Sequence, residues 1–141
     1  MILLSNKYLN DPLVIKFFPV DVKFAYTVKP YDSEGKFVQL VALKVTNRDG
    51  IAAMEGDVVT DANQSFGQYN SSAEVSMSMN QEGAKQWKRL TAENIGRSVA
   101  IVLDGYVYSY PTVQSEIAGG RSSITGDFSV NEAKDLANIL K

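Results

Sequence analysis

A chain of 141 residues, 45% of them apolar and with a formal charge of −2, has the size of one domain or of a domain carrying a small lobe. It contains no histidine and no cysteine, which excludes Ser-His-Asp, Cys-His and His-metal chemistry, zinc-thiolate sites and any disulfide framework. Its Lys and Arg residues are scattered without a basic stripe, so there is no footprint for nucleic acid.

No apolar run approaches the ~20 residues that cross a bilayer. The run Met1 to Leu4 ends at Ser5-Asn6-Lys7, too soon for a signal peptide, and the chain is expected to be soluble. In chain order, Leu3 to Phe18 reads as a broken helical segment, with Leu3, Leu4, Tyr8 and Leu9 on one face. Asp11 followed by Pro12 suits an N-cap and first helical position for a second short helix through Phe18, which Pro19 stops. Val22 to Lys29 alternates as a half-buried strand, and Pro30 to Gly35 is turn chemistry. Phe37 to Thr46 is apolar on both faces and is expected as an inner strand. Asn47-Arg48-Asp49-Gly50 is a turn, and Asn47 to Gly56 is the plausible seam between an N-terminal lobe and the rest.

Asp57 to Tyr69 has strand character that weakens after Asn63. Ala73, Val75, Met77 and Met79 alternate with Glu74, Ser76 and Ser78, the plainest strand in the chain. Asn80 is placed to cap a helix whose face is Ala84, Trp87, Leu90 and Thr91, ended by Asn94 and Gly96. Val99 to Leu103 is a continuous apolar run, expected as a central strand. Asp104-Gly105 signals a type I′ hairpin turn, with Tyr106 to Tyr110 returning until Pro111. Thr112 to Ala118 is ambiguous between strand and short helix, and Ile124 to Phe128 is a further strand. Ser129 and Glu132 have capping-box spacing ahead of a helical face of Ala133, Leu136, Ala137 and Leu140. That helix reaches Lys141 without a stop signal, as if the sequence were a piece of a longer chain.

The expected fold is therefore α+β. A mixed or antiparallel sheet carries two main helices, about 80–94 and 129–141, with an N-terminal helical segment and two-strand lobe in front. The expected division is 1–55 and 56–141.

Few residues invite chemistry. Tyr106, Tyr108 and Tyr110 share one face of a strand and form a candidate polypeptide grip, since phenols offer area, little entropy cost and a polar tip; packing against a neighbouring element is the plainer alternative. Gly119-Gly120-Arg121 lacks the Lys-Ser/Thr of a phosphate loop and reads as a tight turn. Asp57, Asp61 and Asp104 do not have calcium-loop spacing. Met77, Met79 and Trp87 read as core. Glu82 and Glu116 are the loosely plausible acids for a carboxylate-pair enzyme, and nothing fixes their separation. No catalytic, metal or cofactor site is expected.

The order Gly56-Asp57-Val58-Val59-Thr60-Asp61-Ala62, Glu82-Gly83-Ala84, Leu90-Thr91 and Ala100-Ile101-Val102-Leu103-Asp104-Gly105 carries a family resemblance. It continues through Ser109-Tyr110-Pro111, Ile117-Ala118-Gly119-Gly120, Ile124-Thr125-Gly126-Asp127-Phe128 and Glu132-Ala133-Lys134-Asp135-Leu136-Ala137. This stretch resembles the first large extracytoplasmic loop of the SecD and SecDF family of bacterial protein export. Residues 1–55 look like its variable part, with Lys29-Pro30-Tyr31-Asp32 and Lys44-Val45-Thr46 similar to the Bacteroidetes-type SecDF proteins. The resemblance implies the mobile head of a periplasmic domain on an inner-membrane protein. Such a head would hold emerging preprotein, beside the SecYEG channel and SecF, during proton-motive-force-driven export. A scaffold that docks translocon subunits without touching client is the alternative. The family's proton-carrying residues lie within the membrane and have no counterpart on this sequence.

Overall fold

A computed structural model describes residues 2–45, 47, 49–68 and 72–140; the side chains of residues 2–5 and 127 are not described. The expectations on Met1, Thr46, Arg48, Tyr69 and Lys141, and on the side chains of Leu3 and Leu4, lie outside the described part. The elements run α1 (Ile2–Leu9), α2 (Pro12–Ile15), β1 (Val22–Thr27), β2 (Leu40–Lys44), β3 (Val59–Phe66), β4 (Ala73–Met79), α3 (Gln81–Glu93), β5 (Ile101–Leu103), β6 (Tyr106–Ser109), β7 (Arg121–Phe128) and α4 (Val130–Leu140). A single 3₁₀ turn, Gly56–Val58, leads into β3. The fold is α+β with two sheets, and the chain divides into two compact units.

The first unit comprises Met1–Ala52 and the hairpin tip Leu103–Val107. Asp11 accepts a hydrogen bond from the Leu13 amide at 2.8 Å and caps α2, with Pro12 at its first position. The helix ends at Ile15, short of Phe18, and none of its side chains is buried to hold a longer one. β1 and β2 pair antiparallel from Val22↔Lys44 to Tyr26↔Leu40, and β1 meets β6 in parallel at Tyr26↔Tyr106 and Thr27↔Val107. The core of this unit is small: Ala25, Thr27 and Val107 are buried, and the Phe18 and Phe24 rings meet edge to face at 5.0 Å.

The strand order β2-β1-β6-β5 corrects two expectations. β2 stands at a sheet edge and not inside, and it is shorter than Phe37–Thr46 suggested. Its residues alternate exposed and half-buried, so neither face is covered despite both being apolar. β5 is the opposite edge. Only three residues of the apolar run Val99–Leu103 pair as a strand, and the Val99 amide instead donates to the Pro111 carbonyl.

The second unit comprises Ala53–Val102 and Tyr108–Lys141. Its sheet has the order β3-β4-β7, all antiparallel. Ala73, Val75 and Met77 of β4 are buried on one face, while Glu74, Ser76 and Ser78 stay partly exposed on the other, as strand alternation requires. α4 packs across β3 and β4 and buries Ala133, Leu136 and Ala137. Its start is a reciprocal capping box. The Glu132 amide donates to Ser129 Oγ at 3.2 Å, and the Ser129 amide to Glu132 Oε2 at 2.7 Å. α3 is capped by Asn80, whose Oδ1 accepts from the Gly83 amide at 2.8 Å. It ends at Asn94, followed by Gly96 at φ +78°. Asp104 at φ 50° and Gly105 at φ 80° make the left-handed pair of a type I′ turn.

Candidate functional site

The second unit carries an open groove, and four stretches of sequence build it. Helix α3 brings Trp87 and Thr91 to one face because they lie one turn apart. Thr91 Oγ1 donates to the Trp87 carbonyl at 2.8 Å and accepts the Ile117 amide at 3.0 Å. The threonine thus ties the segment after Pro111 down to the helix. That segment is neither a strand nor a helix. It is held by isolated bridges, Ile95↔Val113 and Ser98↔Thr112, with Gly96 and Arg97 exchanging backbone hydrogen bonds with Val113 at 2.8 and 2.9 Å. An exposed ion pair, Lys88 to Glu116 at 3.5 Å, adds a further link, of the kind worth little on its own.

The segment then turns back through Gly119 and Gly120, both at positive φ, where the Gly120 carbonyl accepts the Met79 amide at 2.8 Å. A Cβ on Gly120 would lie 3.0 Å from that of Ala84. The turn read from Gly119-Gly120-Arg121 is a packed bend that launches β7.

Strand β7 pairs only with β4, so it is an edge of its sheet. Between it, α3 and the 111–117 segment lies a partly open groove of about 240 Å³. Its apolar wall includes Trp87, Val113, Ile117 and Ile124, and β7 adds the hydroxyls of Ser122 and Ser123. No residue lining it carries a charge. Trp87 is 9% exposed, and its indole N–H is buried without an acceptor among the described residues. A buried donor left unpaired is uncommon and calls for a physical reason.

The tyrosines stand elsewhere. Val107 is buried at 1% exposure, and alternation turns Tyr106 and Tyr108 to the opposite face of β6. Tyr106 and Tyr110 are about half exposed, at 49% and 45%, and Tyr108 is intermediate. Tyr106 belongs to the first unit, and Tyr108 and Tyr110 to the second. None of the three lines the groove. The acids are dispersed as well: among the described residues, no group of three Asp or Glu could hold a metal ion. Asp61 accepts from Asn63, Asp104 sits in its hairpin turn, and Glu82 accepts from Gln86 one helical turn away. Sequence reasoning placed Trp87 in the core, which is correct, but missed that it is also a groove wall.

With this architecture in view, comparison with known proteins is decisive. The family profile of the SecDF P1 head subdomain matches residues 33–141. The chain belongs to the SecDF P1 head family. The protein translocase subunit SecD of Rhodothermus marinus is 41% identical over 136 residues, or 96% of this chain and 21% of that subunit. The SecD subunit of Syntrophobacter fumaroxidans is 41% identical over 88 residues, covering 62% of this chain and 16% of that one. The chain thus spans about a fifth or less of these relatives. A solved structure of SecDF, described as a membrane component that enhances protein export, aligns with a TM-score of 0.56 at 40% identity. The match covers 64% of this chain and 41% of that one. Among the described residues of this P1 head, no helix is long and apolar enough to cross a membrane.

Proposed function

We propose that this P1 head is the polypeptide-holding lobe of a protein-export machine. It takes an unfolded, extended stretch of preprotein, on the periplasmic side of the inner membrane, as part of a SecD or SecDF subunit. That subunit works with the SecYEG channel and SecF and draws on the proton motive force. The observation that carries the reading is the free outer edge of β7 beside an uncharged groove. An extended chain adds to such an edge through its backbone, which every client shares, so binding does not depend on client sequence at most positions. Chemistry on the client has no part in this function; holding and releasing do.

The tyrosine face is a second contact in this proposal. Half-exposed phenols at Tyr106 and Tyr110, with Tyr108 between them, suit transient contact with a passing chain.

Photo-crosslinking in the assembled translocase, with a stalled preprotein and a reactive residue at Ser123, Thr125 or Tyr106 in turn, tests the proposal. Preprotein adducts from Ser123 and Thr125 are expected. Adducts only with fixed translocon subunits, from every position, would replace the holding role with that of a docking scaffold. Loss of client binding in the Tyr106→Ala, Tyr108→Ala double variant would place the tyrosines in the grip, and unchanged binding would remove them from it.

A further inference from the structure

The geometry points to a side-chain-reading subsite: the groove takes one bulky apolar side chain of a bound extended segment, while the Trp87 indole N–H donates to a main-chain carbonyl beside it. This rests on the reading of the P1 head as a polypeptide holder, and adds which residue of the client is recognised and by what.

Three observations carry it. The volume, about 240 Å³, is below that of drug-sized pockets, roughly 300–1,000 Å³, yet exceeds the ~150 Å³ that admits benzene. One leucine or phenylalanine side chain fits; a second does not. The lining is apolar around Trp87, Val113, Ile117 and Ile124, and no ionisable group faces the space. A lysine or glutamate of the client would lose its water there and find no counter-charge. Finally, the donor complement is that of a protein strand. β7 has a free edge, and Trp87 in the wall of the same groove holds a buried N–H with no acceptor. An extended backbone supplies carbonyls to both, whereas a purely apolar ligand would leave the indole unpaired.

The chain has a single tryptophan, so its emission reports this groove alone. The test titrates the 141-residue chain with short polar peptides that differ only at one central residue, Leu, Ala or Lys, reading Trp87 emission and the anisotropy of a labelled peptide. The Leu peptide is expected to bind about tenfold or more tightly than the Ala peptide, from burial of the larger side chain, and the Lys peptide no better than Ala. Trp87→Phe, which keeps a ring and removes the donor, should weaken all peptides by about two- to tenfold, the worth of one hydrogen bond. Ile117→Trp, which fills the groove, should erase the Leu preference and leave Ala-peptide binding in place.

Equal binding of the Leu, Ala and Lys peptides would overturn the side-chain reading while leaving the polypeptide holder intact. Absence of peptide binding together with absence of preprotein adducts from β7 would remove both. Unchanged affinity in folded Trp87→Phe would overturn the carbonyl contact. An emission shift driven by chain concentration alone would put a second copy in the groove. A response that disappears in the full-length subunit would put a segment of the same polypeptide there. Either result overturns the assignment to a client.

Discussion

Gly83 is held at the third position of α3 by space as much as by conformation. A Cβ there would lie 2.8 Å from Val58 Cβ and 3.0 Å from Met79 Cβ, atoms close to the backbone that do not swing away. Gly83→Ala gains about 1 kcal/mol of helix propensity but overpacks the contact by about 1–3 kcal/mol. We expect a net loss of stability, seen as a lower thermal midpoint; a higher midpoint would show that Val58 yields. Asp32 gives a second prediction at this scale. Its carboxylate accepts the Phe37 amide at 2.7 Å and the Lys36 amide at 3.1 Å. The bond from Phe37 is the main reason its pKa is lowered; desolvation opposes the shift and the Lys36 amide adds to it. A folded pKa below the unfolded one means that the stabilisation is complete above the ordinary carboxylate range and is lost as pH falls through the lowered value. Carbon-detected titration of Asp32 should give a midpoint below the Asp reference, and Asp32→Asn should abolish that acid-side dependence of the 31–37 turn.

Among the elements, those with chemical punctuation were readable in advance. Asp11-Pro12, Asn80, Asp104-Gly105 and the Ser129/Glu132 pair each act within four residues of themselves. A local pattern therefore contains all the physics that decides them. Ser129→Ala removes one half of the capping box and is expected to cost about 1 kcal/mol, measured by urea denaturation with an unchanged slope. Sheet position was not readable. Nothing local separates an apolar strand with two neighbours from one with a single neighbour, and β2 and β5 both turned out to be edges. The groove was hidden for the same reason. Thr112 to Ala118 has no period because its backbone partners are Arg97, Gly96 and the Thr91 hydroxyl, all distant in sequence. Trp87 looked like core because it is core; that its N–H lacks an acceptor appears only once the fold is assembled.

For the molecule as a whole, burial is uneven, and local opening should follow it. β4 has a strand on each side and buries Ala73, Val75 and Met77, whereas α2 buries no side chain, and Leu13, Phe17 and Val20 are largely exposed. Amide hydrogen exchange should therefore be slowest at Val75 to Met77 and fastest, among the helices, in α2. Protection of α2 equal to that of β4 would mean that the exposed apolar side chains are covered in solution. The fold class and the family were accessible from sequence because ordered short motifs recur at fixed spacing from Gly56 onward. The groove needs the three-dimensional meeting of helix, loop and edge.

The hairpin tip has a practical consequence. Leu103–Val107 belongs with Met1–Ala52, while the chain on either side of it belongs with the other unit. Cutting the gene at the Ala52–Ala53 boundary would therefore not yield two self-sufficient halves. The shorter piece would lack the strand that pairs with Tyr26 and Thr27, and the longer would display an orphaned loop with Val107 stripped of its cover. Anyone dissecting this region by truncation should carry the tip across, by circular permutation or by grafting a short replacement turn.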